Sequence, residues 1–83
     1  MRANRAYELI VSRGGIEPAF LADRRRIDRV EVVSIDDGEV VLYWELPAKD
    51  ASKLLKLLRE DIIRLDAEEF IPTWGGLDLE DLF

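Results

Sequence analysis

The sequence predicts a small α+β domain: an antiparallel sheet of about three strands packed on one amphipathic helix, in β-β-β-α order, with an irregular acidic tail. Three observations carry that expectation. Ile27 to Ile35 and Glu39 to Leu46 are rich in β-branched and aromatic residues and flank Asp36-Asp37-Gly38, where Asp-Gly suits the positive φ of a tight hairpin turn. Apolar residues between Asp50 and Asp66 recur at three- and four-residue spacing, the mark of a helix with one buried face. Beyond it, Pro72 and Gly75-Gly76 interrupt the periodicity, so residues 1–76 read as a single domain and 77–83 as a tail.

Eighty-three residues make one domain near the lower limit of independent folding, expected to bury about 60–65% of its unfolded-chain surface. With 48% hydrophobic and 36% charged residues the composition is globular rather than disordered. No apolar run approaches the ~20 residues of a membrane span. Arg2 and Arg5 lead into a short alternating strand rather than an apolar signal core, so the cytoplasm is the expected compartment and no membrane contact is expected. Cysteine and histidine are both absent, which excludes disulfides and thiolate chemistry and removes the commonest metal ligand and general base. The net charge of −6 is graded along the chain. Residues 1–29 hold seven Lys/Arg against four Asp/Glu, residues 30–66 five against nine, and residues 67–83 none against five. That layout suits head-to-tail contacts or a basic partner for the tail, and argues against general nucleic-acid affinity, which needs a positive face.

In chain order, Tyr7 to Arg13 alternates Tyr7, Leu9 and Val11 against Glu8, Ile10 and Ser12 and reads as a strand ended by Gly14-Gly15. Ile16 to Asp23, with Pro18, reads as a short helical turn or a loop. Arg24, Arg25, Arg26 and Arg29 follow. They admit two readings: a contact for phosphate or another anion, which guanidinium forks match, or a solvated strand start neutralised by Asp23, Asp28 and Glu31.

A two-residue turn at Asp37-Gly38 sets Asp36 against Glu39, Ile35 against Val40, Val33 against Leu42 and Glu31 against Trp44. The helix is then expected over Val33, Val40, Leu42 and Trp44, with Ser34, Val41, Val32, Tyr43, Val30 and Glu45 on the second face. In the helix, Ala51, Leu54, Leu55, Leu58, Ile62 and Leu65 fall in a stripe roughly 100° wide, with Leu57 and Ile63 outside it. Pro47 fits the first turn, Asp50 the positive end of the dipole, and Glu60–Arg64 an i,i+4 ion pair. Trp44 is expected in the core and Tyr43 at an interface.

The tail Leu77-Asp-Leu-Glu-Asp-Leu-Phe83 sets Leu79, Leu82 and Phe83 three and four apart, so a partner groove could fold it as one helical turn with the carboxylates outward. Alternatively Leu77, Leu79 and Phe83 fold back on the second sheet face. Several short stretches have family likenesses. Tyr43-Trp-Glu-Leu-Pro-Ala-Lys-Asp-Ala-Ser-Lys-Leu-Leu55 resembles the hairpin-to-helix junction in the dimerisation domain of the actinobacterial nucleoid-bridging silencer, which implies a dimerising fold. The DNA-binding hook of that family has no counterpart here. Glu80-Asp81-Leu82-Phe83 is similar to the end of bacterial sliding-clamp-binding peptides, with Leu79 where that family has Gln, and to the acidic tip of single-stranded-DNA-binding proteins, with Leu82 where they have Pro. These likenesses imply a clamp-binding or nucleic-acid-associated accessory protein. Gly75-Gly76 followed by a seven-residue extension resembles a ubiquitin-like precursor, which implies processing after Gly76.

An enzyme needs a positioned nucleophile, acid/base pair or metal. Ser12, Ser34, Ser52, Thr73 and two tyrosines have no histidine to activate them, and the paired acids Asp36/Asp37, Glu60/Asp61 and Glu68/Glu69 lack metal-loop spacing. No catalytic residue, cofactor or metal is expected. The expected function is a non-catalytic protein-interaction module, of adaptor or inhibitor type. It self-associates as a homodimer through Val30, Val32, Val41 and Tyr43, and binds another protein through Leu77, Leu79, Asp81, Leu82 and Phe83.

Overall fold

The computed structural model describes residues 1–13 and 26–77. Among them run α1 (Ala3–Ala6), β1 (Tyr7–Arg13), β2 (Ile27–Ser34), β3 (Val40–Pro47), α2 (Ala48–Arg64) and α3 (Ala67–Gly75). The strands form one antiparallel sheet in the order β1-β2-β3, so the protein has the α+β class that its sequence implies. The Ile16 to Asp23 stretch lies outside the described residues. No helix of the described residues is long and apolar enough to cross a membrane.

Strand β3 runs into α2 without a loop. Pro47 is the residue of transition, with φ −52° and ψ 144°. Its fixed φ suits either element and its missing N–H costs nothing where a helix begins. It sits one step ahead of the first turn rather than inside it. From there Ala51, Leu54, Leu58 and Ile62 are buried, Leu55 and Leu65 pack at the margin, and Ile63 is exposed. Leu57, expected off the stripe, also packs partly against the core. The helix ends at Leu65, which is extended (ψ 157°) and whose N–H donates to Asp61 O at 2.8 Å.

The hairpin departs from its expected register. Ile35 to Gly38 forms a longer loop, in which Gly38 N–H donates to Ser34 O at 2.8 Å, Ser34 N–H to Glu39 O at 2.8 Å, and Glu39 N–H to Asp37 Oδ1 at 3.0 Å. The ladder then slips between Val32 and Val33, so that Val33 pairs with Val40 but Val32 with Leu42, Glu31 with Tyr43 and Val30 with Trp44. Val41 is the extra residue of a bulge. The net one-residue slip exchanges the faces of β2. Val30 and Val32, expected on the outer, self-associating face, are therefore fully buried under the helices with Leu46. Gly38 holds φ +73°, and a Cβ there meets nothing within 4 Å. Gly38→Ala is thus a pure backbone penalty, expected to cost about 1–2 kcal/mol in urea unfolding; no loss at all would mean that the loop rebuilds without a left-handed residue.

Two helices go beyond the expected set. In α1, a single turn, Ala3 is fully buried, its N–H donates to Leu65 O at 3.0 Å, and Arg2 Nη1 donates to Arg64 O at 2.7 Å. Ala67 N–H returns a bond to Met1 O at 2.8 Å, so the start of the chain is pinned across the α2–α3 link. Helix α3 forms despite Pro72, with Asp66 O accepting from Phe70 N–H at 3.0 Å and Glu68 and Glu69 in the first turn, where acids favour the helix dipole. Phe70 and Trp74, four apart, are both buried. The Phe70 ring stacks on Tyr7 (centroids 6.0 Å apart, 26° between planes), and Trp74 meets Trp44 edge-on (6.3 Å, 77°). All three helices contribute to one core on one face of the sheet, with Val30, Val32 and Leu46 as its floor.

Candidate functional site

Alternation along the strands leaves a second face whose register rows are Glu8–Val33–Val40, Ile10–Glu31–Tyr43 and Ser12–Arg29–Glu45. One half is apolar: Ile10, Val40 and Val41 are exposed, and Tyr43 is 57% exposed. Val33, on the central strand between its two neighbours, is the buried member. The other half is a charge cluster centred on Arg29. Its guanidinium carbon lies 4.2 Å from the centroid of the Tyr43 ring, Nη1 donates to Glu45 Oε1 at 3.0 Å, and Nε is 3.4 Å from Glu31 Oε2. The bulge, by presenting both Val40 and Val41 against Val33, broadens the apolar half. The cation over the ring holds Tyr43 at the boundary between the halves.

The remaining candidate residues divide by location. Tyr43 and Val41 stand on the outer face as expected, whereas Val30 and Val32 belong to the core. Trp44 lies on the inner face, as the alternation implies, opposite Val30 rather than Glu31. Of the arginines read as an anion contact, Arg29 is spent on Glu45 and Glu31, and Arg26 makes a two-pronged bond to Asp28, Nε to Oδ1 at 2.9 Å and Nη2 to Oδ2 at 3.1 Å. Arg24 and Arg25 lie outside the described residues, as do Leu79, Asp81, Leu82 and Phe83 of the tail. Leu77, the last described residue, is exposed and its N–H reaches Trp74 O at 3.4 Å. Gly75 closes α3 beside Leu42, and Gly76 N–H donates to Pro72 O at 3.3 Å. The diglycine is therefore engaged in the helix terminus.

Near that terminus Asp61 joins α2 to α3. Its Oδ1 accepts from Arg64 Nη2 at 2.8 Å and its Oδ2 from Trp74 Nε1 at 3.0 Å. The hydrogen bond from Arg64, and then the nearby carboxylate charge, raise the guanidinium pKa above its ordinary value. The sequence suggested Glu60 as the partner of Arg64; the i,i+3 acid takes it because Asp61 faces α3, where the indole N–H orients it. Among the described residues no cluster of three or more acids stands together where it could hold a metal ion. Sequence reasoning placed Ile10 with Glu8 and Ser12, as found, without counting it in the interface; it set Val40 on the helix-covered face, where the register puts it on the outer one, and missed Asp28 as a buried carboxylate. The signal for Asp28 is its two-residue spacing from Val30 and Val32 on one strand, with Arg26 two residues ahead on the same side.

These features define a two-layer α+β domain whose sheet is covered by helices on one side and carries a mixed apolar and charged surface on the other. No protein-family model, curated protein or solved structure matches the chain.

Proposed function

We propose that this chain is a non-catalytic protein-interaction module that self-associates through the outer face of its sheet, around Ile10, Val40, Val41 and Tyr43. The acidic, leucine-rich stretch after Gly76 is its contact for another protein. The observation that carries the reading is the contrast between faces: three helices seal the inner side, while the outer side leaves those four apolar residues open among the described residues. Grouped apolar surface on so small a domain is a characteristic of association sites. Tyr43 has the features of an anchor, a large amphipathic ring at the boundary of the apolar half with Arg29 over it. The arginines favour this reading over nucleic-acid binding, because Arg26 and Arg29 are both paired with carboxylates.

Sedimentation at tens of micromolar tests the self-association. Tyr43→Glu is expected to weaken it by about 30-fold, the loss of a typical anchor of ~2 kcal/mol, while leaving the helical signal unchanged because the side chain already faces out. A wild-type protein that stays monomeric overturns this half of the proposal. For the other half, truncation after Gly76 should abolish capture of the partner without lowering stability, and collapse of the fold would make the tail structural instead.

A further inference from the structure

The two edges of the sheet are built differently. Strand β3 has α3 packed against it and carries the Val40–Val41 bulge and Pro47, devices that blunt an edge against further pairing. Strand β1 has neither bulge, proline nor lysine over its seven residues. Its main contacts run to β2, α1 and α2, and Ile10 and Val11 are 39% and 37% exposed.

The direction of its backbone groups follows from the register. Ile35 N–H donates to Ala6 O at 3.0 Å, one step beyond the Tyr7–Ser34 pair. In an antiparallel ladder the bonded positions alternate, so Glu8, Ile10 and Ser12 direct their N–H and C=O groups at β2, while Leu9, Val11 and Arg13 direct theirs away from the sheet; of Tyr7 only the C=O remains, since its N–H donates to Ala3 O. Among the described residues these outward groups make a ladder open to another strand, and it is its own complement. Laid antiparallel on itself about a twofold axis at Ile10, β1 sets Leu9 opposite the partner's Val11, a pair joined by two backbone bonds, and Tyr7 opposite the partner's Arg13, a pair joined by one, to Tyr7 O. Glu8 then faces the partner's Ser12, and Ile10 its own copy on the outer face. No like charges meet, and Leu9, Ile10 and Val11 each meet an aliphatic residue.

From this we infer that a second copy of the chain pairs its β1 along the first, joining two three-stranded sheets into one of six strands. This rests on the self-association proposed above only in taking a second copy as the partner: the contact is the β1 edge, in which Ile10 takes part, and Val40, Val41 and Tyr43 of the opposite edge strand stay outside it. Because the chain has no cysteine, single introduced thiols report the register. The Ile10 positions form a non-bonded pair, whose Cα atoms approach to about 4.5 Å, close enough for a disulfide. Glu8 lies about 13 Å from its own copy in the same register, four residues of strand rise.

Oxidation of the full-length Ile10→Cys protein at tens of micromolar should give a covalent dimer at least about tenfold faster than Glu8→Cys or Ser12→Cys alone, whereas a mixture of those two should cross-link to each other. Val11→Pro, which removes one outward N–H and leaves the ladder to β2 intact, should suppress the Ile10→Cys dimer; circular dichroism checks that both variants fold. A protein that sediments as a dimer while Ile10→Cys stays uncross-linked overturns the edge pairing and leaves association through the face. A protein monomeric by both measures overturns both.

Discussion

Phe70→Ala is expected to destabilise the domain by about 3–5 kcal/mol, the range for deleting a fully buried aromatic side chain. For a chain of this length total stability is on the order of 4–12 kcal/mol, so the variant should lose a large share of it. The size of the effect follows from position. Phe70 has no exposure at all, lies between α3 and the sheet, and stacks on Tyr7 at the start of β1. Its removal leaves a cavity bounded by elements from both ends of the described chain, so neither can close it by a local shift. Urea unfolding followed by tryptophan fluorescence measures it directly, because Trp44 and Trp74 meet edge-on across the same contact. Ile63→Ala, at a residue 63% exposed, is the control and should stay within about 0.5 kcal/mol of wild type. A Phe70→Ala loss below about 1 kcal/mol would mean that α3 is not docked as described, since no packed phenylalanine is that cheap to delete.

That helix is also where the sequence was hardest to read. Leu54, Leu58 and Ile62 announce α2 by spacing alone, and Leu42, Trp44 and Leu46 alternate cleanly onto the inner face of β3. Phe70 and Trp74 carry the same four-residue spacing, but Pro72 between them argued for an end to regular structure. Proline at that position deletes only the bond to Glu68 O, whose residue is exposed, so water can take the acceptor while two buried aromatics hold the helix. The register error has a different origin. Asp37-Gly38 marks a turn but does not set its length, and the bulge at Val41 adds a second degree of freedom. Their combined outcome is a shift of one residue, the smallest possible, yet it moves Val30 and Val32 from the proposed interface to the core. Composition along β2 did not betray it, because Val30, Val32 and Val33 supply valine to either face. Tyr43 and Val41 kept their expected exposure because β3 was anchored independently by Trp44 and the helix that follows.

Arg26→Ala should cost about 2–3 kcal/mol, somewhat under the range for breaking a fully buried ion pair because the arginine side chain is 29% exposed. Asp28 is only 4% exposed and sits on the inner face in line with Val30 and Val32, so the two bonds from Arg26 form where little water competes with them. The pair also stands at a junction, since Arg26 O accepts the Ala48 N–H at 2.9 Å and so ties the start of β2 to the first turn of α2. Arg26→Lys should recover only part of the loss, because an ammonium cannot reproduce the two parallel bonds. A double-mutant cycle with Asp28→Ala should return a coupling of at least about 1 kcal/mol. These outcomes also decide the alternative use of this arginine. Were Arg26 held for a phosphate or nucleic-acid partner, its removal would weaken salt-sensitive binding and leave stability near wild type. A stability loss of the expected size, with no change in retention on DNA or phosphate resin, assigns its guanidinium to the fold.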